Sequence, residues 1–206
     1  MIEKYWNTKQ FEKCFEGHME LAEKGYPLAE CQVGYFFYDG IGVEKDADKA
    51  FYWTQRAAEH GDRDGQFNLA YFYEEGIGTP VNMEKAKHWY EIGAKAGLQS
   101  SMLQLGVILK TQNKNKEAFQ VFYAAAVGGY APAMGWLAAC YEHGIGVEKD
   151  QGKVLFWLKR AAAMGDRDAI QTLQKYYPKQ TLVKTNDQLD EELPKEFVET
   201  TPGTIN

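Results

Sequence analysis

The chain has 206 residues, is 45% hydrophobic and 25% charged, and carries a net charge of −6, an ordinary globular composition. The charge is uneven: from Asp187 onward six acids meet one base, which leaves the preceding 186 residues at −1. That balance excludes a basic nucleic-acid footprint. No run approaches the ~18 apolar residues of a membrane span, so no membrane partner is expected. Cys14, Cys31 and Cys140 are too few and too irregular for a disulfide framework. Met1–Asn7 lacks the apolar core of a signal peptide, and a cytoplasmic setting is the expectation.

The first predicted element is a helix over Phe11–Lys24, closed by Gly25. A second helix is predicted over Ala29–Asp39 and stops at Gly40-Ile41-Gly42, because glycine readily takes the left-handed conformation that ends a helix. A third runs over Ala47–His60, with Asp46 placed as its N-cap and Gly61 after its end. The pattern then returns 36 residues on. Gly65, Leu69-Ala70 and Tyr73 fall on one helical stripe, Gly76-Ile77-Gly78 ends it, and Asn82 caps a helix over Met83–Ala96. In the third unit, Ser101, Leu105-Gly106 and Leu109 keep the stripe, but Ala118 lies only 32 residues after Ala86. Four residues are missing, and Thr111–Lys114 makes a shorter polar turn to a helix over Asn115–Val127. The fourth unit restores the pattern through Ala133, Leu137-Ala138, Tyr141, Gly144-Ile145-Gly146, the cap Asp150 and a helix over Gln151–Met164. Ala169–Tyr177 reads as a last first-type helix, stopped by Pro178.

A period in this range marks a solenoid of stacked supersecondary units. The fold expected is all-α: a right-handed superhelical α-solenoid of helix-turn-helix repeats, four full units between two half units. The expected division is a solenoid over 1–177 and an acidic C-terminal tail over 178–206, disordered or loosely docked.

The pattern Ala-x-x-x-Leu-Gly-x-x-Tyr-x-x-Gly-x-Gly-Val…Asp-x-x-Lys-Ala-x-x-Trp-x-x-x-Ala-Ala-x-x-Gly resembles the Sel-1-like repeat, a relative of the tetratricopeptide repeat. Residues 29–64 carry it from Ala29 and Gly34 through Gly40–Val43, Asp46 and Lys49-Ala50 to Trp53, Ala57-Ala58 and Gly61. Residues 133–168 carry it with Val154 for Ala, and residues 65–100 with Gly65 for the first Ala and Thr79-Pro80 in the loop. The resemblance implies an adaptor that holds another protein. It leaves open an immunity protein that plugs a toxin's active site and, more remotely, a β-lactam-handling enzyme of a cysteine-rich branch, whose paired cysteines this chain lacks.

Catalytic signals are thin. Ser100 and Ser101 sit together at a helix start and read as an N-cap, outside any Gly-x-Ser-x-Gly motif. Cys140 and His143 are three apart on one face, but Cys140 stands in the series of Phe36 and Phe72 and reads as packing. His18, His60, His88 and His143 form no ligand spacing, so no metal is expected, nor any cofactor. The Trp53, Trp89 and Trp157 series, in strict register, reads as inter-helix packing.

In tetratricopeptide-like stacking the first helices line a concave groove, and the resemblance implies a partner there. Off the stripe stand Tyr35, Tyr38 and Asp39; Phe67, Tyr71, Glu74 and Glu75; Val107; and Trp136, Glu142 and His143. Tyr and Trp bring large contact area at small entropic cost. With carboxylates beside them, they predict a protein partner with basic and apolar anchor residues.

Overall fold

The computed structural model describes residues 10–178. Its elements, in chain order, are α1 (Phe11–Glu23), α2 (Pro27–Asp39), α3 (Ala47–Glu59), α4 (Arg63–Glu75), α5 (Met83–Lys95), α6 (Gln99–Thr111), α7 (Asn115–Val127), α8 (Ala131–His143), α9 (Gln151–Ala163) and α10 (Arg167–Tyr176). No strand occurs among the described residues. The expected acidic tail lies, apart from Pro178, outside them.

The chain divides into two compact units, the first ending at Leu98 and the second beginning at Gln99. In the first unit α1 packs on α2, α2 on α3, α3 on α4 and α4 on α5, while α2 also meets α4. In the second, α6 packs on α7, α7 on α8, α8 on α9 and α9 on α10. Neighbours are necessary because each short helix owns only a stripe of apolar surface. Val33, Phe37, Ala50, Trp53 and Phe72 form one core cluster of the first unit. Leu137, Tyr141, Val154, Trp157, Leu158 and Leu173 anchor that of the second. Full burial of such a side chain contributes ~1.5–3 kcal/mol.

The small residues of the stripe sit where helices approach most closely. A Cβ on Gly34 would lie 3.1 Å from the Thr54 backbone nitrogen and 3.2 Å from the Ala50 carbonyl oxygen, and one on Gly106 would lie 2.5 Å from the Phe122 ring. The second glycine of Gly-x-Gly has a similar duty between repeats. Gly78, at φ 63°, lies against the first turn of α3, and Gly146, at φ 71°, against that of α7; a Cβ there would overlap the Ala47 or Asn115 carbonyl.

Asp46, Asn82 and Asp150 each accept the backbone N–H three residues on, at 3.0 Å, as the spacing predicts. The first-type helices begin two residues earlier than the stripe suggests. Asp62 and Asp166 cap α4 and α10 at 2.7 and 2.8 Å, while Pro27 and Pro132 occupy the first turns of α2 and α8. Ser100 and Ser101 therefore lie inside α6 and do not cap it, and Ser101 is fully buried. In the shortened third repeat, Asn113 takes the left-handed position (φ 60°) and Lys114 N–H bonds the Leu109 carbonyl at 2.9 Å.

One side-chain device repeats. The Lys of Asp-x-x-Lys lays its ammonium over the aromatic near the end of the preceding helix: Lys49 on Phe37 at 5.3 Å, Lys85 on Tyr73 at 5.0 Å and Lys153 on Tyr141 at 5.3 Å. In the third repeat the same two positions hold Leu109 and Glu117. The ring and the cation are replaced together, as a cation–π contact requires.

Candidate functional site

The sequence places its candidate residues toward the C-terminal ends of first-type helices, and the structure distributes them over both units. In the first unit, α2 carries Tyr35, Tyr38 and Asp39, and α4 carries Phe67, Tyr71, Glu74 and Glu75. Hydroxyls and carboxylates tie these into a cluster. Tyr35 donates to Asp39, and that acceptor, with burial and the carboxylate's charge, pushes the Tyr35 phenol above its ordinary value. Tyr38 is hydrogen-bonded to Tyr71, and its proximity, followed by burial and the charges of Glu75 and Glu74, raises the Tyr71 phenol. The buried Tyr90 hydroxyl donates to Glu74 Oε2 at 2.8 Å; burial first, then this acceptor, keeps it protonated far beyond the usual phenol range.

The rings divide into packed and open ones. Tyr38 lies 5.4 Å from the buried Phe72, and Phe67 lies 5.7 Å from Tyr90, so both are half-buried. Lys45 lays its ammonium 5.2 Å from the Tyr38 ring. Tyr35 is the open one, 41% exposed. Asp39, Glu74 and Glu75 form no ion pair among the described residues. Their negative charge is therefore left to solvent or to a partner.

In the second unit Trp136 stacks on the buried Phe122, with centroids 5.3 Å apart and planes 11° apart, and Lys110 lies 5.5 Å from the Trp136 ring. Val107 is half-buried on α6. Glu142 and His143 end α8 exposed, His143 Nε2 lying 3.7 Å from Glu142 Oε2. Lys110 occupies the repeat position of Glu74, which reverses the local charge. The contrast extends across the described part of each unit: residues 10–98 hold nine Lys/Arg against 16 Asp/Glu, net −7, and residues 99–178 hold nine against six, net +3. A chain-wide reading of the first 186 residues as nearly neutral averages these two away.

The nucleophile candidates are unfavourably placed. Cys140 is fully buried while His143 is exposed, and burial pushes the Cys140 thiol up to about 11, against a small opposing effect of Lys110. A thiol so protonated is a poor nucleophile. No cluster of three or more His, Cys, Asp or Glu able to hold a metal occurs among the described residues. None of their helices is long and apolar enough to cross a membrane. Of the tryptophan series, Trp53 and Trp157 are buried as read, but in the second repeat Trp89 stays half-buried and its neighbour Tyr90 goes inside.

Sequence reasoning missed a second polar centre in the first unit. Glu30 is fully buried on α2, with Arg56 Nη2 2.8 Å from Oε1 and His60 Nδ1 2.7 Å from Oε2. Its signal was present: the same repeat position holds Gln66, Met102 and Met134, so Glu30 is a carboxylate in an inward register.

Comparison with known proteins agrees with this architecture. The family profile of the Sel1 repeat matches residues 27–62, 63–98 and 131–166, more than half of the chain. A Sel1 repeat protein from Oxalobacter formigenes superimposes with a TM-score of 0.76 at 26% identity, over 91% of this chain and 79% of that one. The immunity protein Pa5087 from Pseudomonas aeruginosa superimposes with a TM-score of 0.58 at 18% identity, over 96% and 81%, a likeness of fold alone. The rat protein "DAP3-binding cell death enhancer 1" is 32% identical over 174 residues; these span 82% of this chain and 34% of that protein, about a third of its length.

Proposed function

The chain belongs to the Sel1 repeat family, and on that premise we propose that it is a non-catalytic, cytoplasmic protein-interaction module that binds a partner protein through the faces of its first-type helices. The observation that carries this reading is the Tyr35, Tyr71, Asp39, Glu74 and Glu75 surface, where ring area lies beside carboxylates that no cation among the described residues neutralises. Rings held by hydroxyl contacts lose little entropy on binding, which suits them as anchors. The uncompensated carboxylates favour basic side chains opposite them. Family kinship supports the same role, and the rat relative is itself named for binding DAP3.

The test is affinity capture from the native lysate with three proteins: wild type, Tyr35→Ala/Tyr71→Ala, and Trp136→Ala, each checked for unchanged helicity. A stoichiometric partner held by wild type and lost by a folded variant supports the module and says which unit binds. A partner held equally by all three removes these faces from the role. Should that partner prove to be a toxin silenced on binding, the module is an immunity protein.

A further inference from the structure

The repeats act as controls for one another, and one loop departs from them without any structural need. Between the Gly-x-Gly element and the second helix, the first and fourth repeats read Val-Glu-Lys-Asp (43–46 and 147–150), while the second reads Thr-Pro-Val-Asn (79–82). What the fold requires of this loop is kept: Asn82 still caps α5 at 3.0 Å, Gly78 still meets α3, and Asn82 N–H still bonds the Tyr73 carbonyl at 2.7 Å. A glutamate and a lysine have nonetheless been exchanged for proline and valine. Val81 is 62% exposed, and Met83, where other repeats carry Ala47, Asn115 and Gln151, is 41% exposed. The fold also accommodates lysine here, since the Lys45 Cβ rests 3.3 Å from a Cβ built on Gly40. At Val81, apolar surface is held in water where the homologous positions carry Lys45 and Lys149, and such surface is suited to contact.

The position of the loop indicates what it contacts. Val81 Cγ2 lies 2.9 Å from a Cβ built on Gly76, the residue after Glu75, so the valine sits at the end of α4 beside the unneutralised Glu74–Glu75 pair. Loss of the loop lysine also removes the cation that the first repeat keeps there, which Lys45 lays on Tyr38. We propose that Val81 and Met83, with Glu74 and Glu75, form the docking surface for a basic partner segment in which a large apolar side chain flanks Lys or Arg. This rests on the protein-binding reading above and narrows it: the occupant contacts the first unit, whose described residues carry net −7, and its apolar anchor meets the loop of the second repeat.

The test uses fluorescence anisotropy with three short labelled peptides on the full chain: alternating Lys and Leu, the same with Glu for Lys, and the same with Ser for Leu. The competing protein is the loop graft Thr79→Val/Pro80→Glu/Val81→Lys, which restores what two other repeats carry and so should fold. The Lys/Leu peptide is expected to bind wild type in a salt-sensitive way, and at least about tenfold more weakly to the graft, the loss typical of an interface anchor. The other two peptides should bind weakly. Equal binding to the graft, or equal binding of the Glu/Leu peptide, overturns the proposal. So does a concentration-dependent dimer in ultracentrifugation that the graft abolishes, which would make the occupant a second copy. If Tyr35→Ala/Tyr71→Ala loses the native partner while the graft leaves the Lys/Leu peptide bound, the interaction module stands and this surface falls.

Discussion

The buried carboxylate of Glu30 gives the sharpest stability prediction. Arg56 Nη2 is within ion-pair distance of Oε1 at 2.8 Å, yet Oε1 has no aligned hydrogen bond, so that contact is Coulombic; His60 Nδ1 supplies the hydrogen bond to Oε2 at 2.7 Å. Arg56 also lies 4.9 Å from the Trp53 ring and 5.8 Å from that of Tyr52. Substituting Arg56→Ala strips the main counter-charge from a carboxylate with no access to water, a change that typically costs about 3–5 kcal/mol. Glu30→Met should cost less, roughly 1–3 kcal/mol, because the Arg56 and His60 side chains are 29% and 45% exposed and can rehydrate. The double exchange Glu30→Met/Arg56→Ile copies residues that other repeats hold in register (Met102 and Met134, and Ile92). It removes both charges together and should lie within about 1.5 kcal/mol of wild type. Urea unfolding followed by far-ultraviolet circular dichroism, with hydrogen exchange of the α2 and α3 amides to confine the readout to the first unit, measures all three. If the double exchange is as unstable as Arg56→Ala, the charges are not coupled and the argument is wrong.

Two further outcomes follow from the backbone and the thiols. Gly61 and Gly78 both have positive φ, 87° and 63°, but a Cβ on Gly61 meets nothing within 4 Å while one on Gly78 overlaps the Ala47 carbonyl; Gly61→Ala should cost ~1–2 kcal/mol and Gly78→Ala clearly more in the same urea assay, and equal costs would remove the case for a close approach there. Burial, chiefly, holds the Cys31 thiol up to about 12 and that of Cys140 up to about 11, against an ordinary 9.0; the folded state thus binds more protons than the unfolded chain above about pH 9, and stability should fall as pH rises through that range. Urea midpoints that stay flat from about pH 8 to about pH 11, or native thiols that iodoacetamide alkylates at the unfolded rate, would contradict it.

Legibility in the sequence followed the physics of repetition. The Gly-x-Gly stops, the Asp/Asn caps of the second-type helices and the shortened third turn were readable because backbone conformation demands those residue types wherever the turn recurs. First-type helix starts were not, since Asp62 and Asp166 do there by side-chain capping what Pro27 and Pro132 do by fixed φ, and the mixture has no period. The candidate face was legible as residue positions but not as environment. Tyr38 and Trp136 look alike off the stripe, yet one is bonded to Tyr71 beside carboxylates and the other stacks on Phe122 under Lys110. Counting charge along the whole chain hid the same contrast, because opposite signs in adjacent segments cancel in a sum but not at a surface.

Internal repetition therefore separates two kinds of departure. Where the fold needs a pair, both members change together: Leu109 and Glu117 replace an aromatic and its lysine. Such coupled changes preserve packing. Where one member changes alone and leaves an exposed or uncompensated group, packing gives no reason for it. Val81 stands exposed where other repeats carry lysine while every backbone bond of the loop survives, and beside it Glu74 and Glu75 have no cation opposite among the described residues. These uncoupled departures coincide at one helix end, and a partner supplies the missing member of each pair: an apolar side chain for the valine, a cation for the carboxylates.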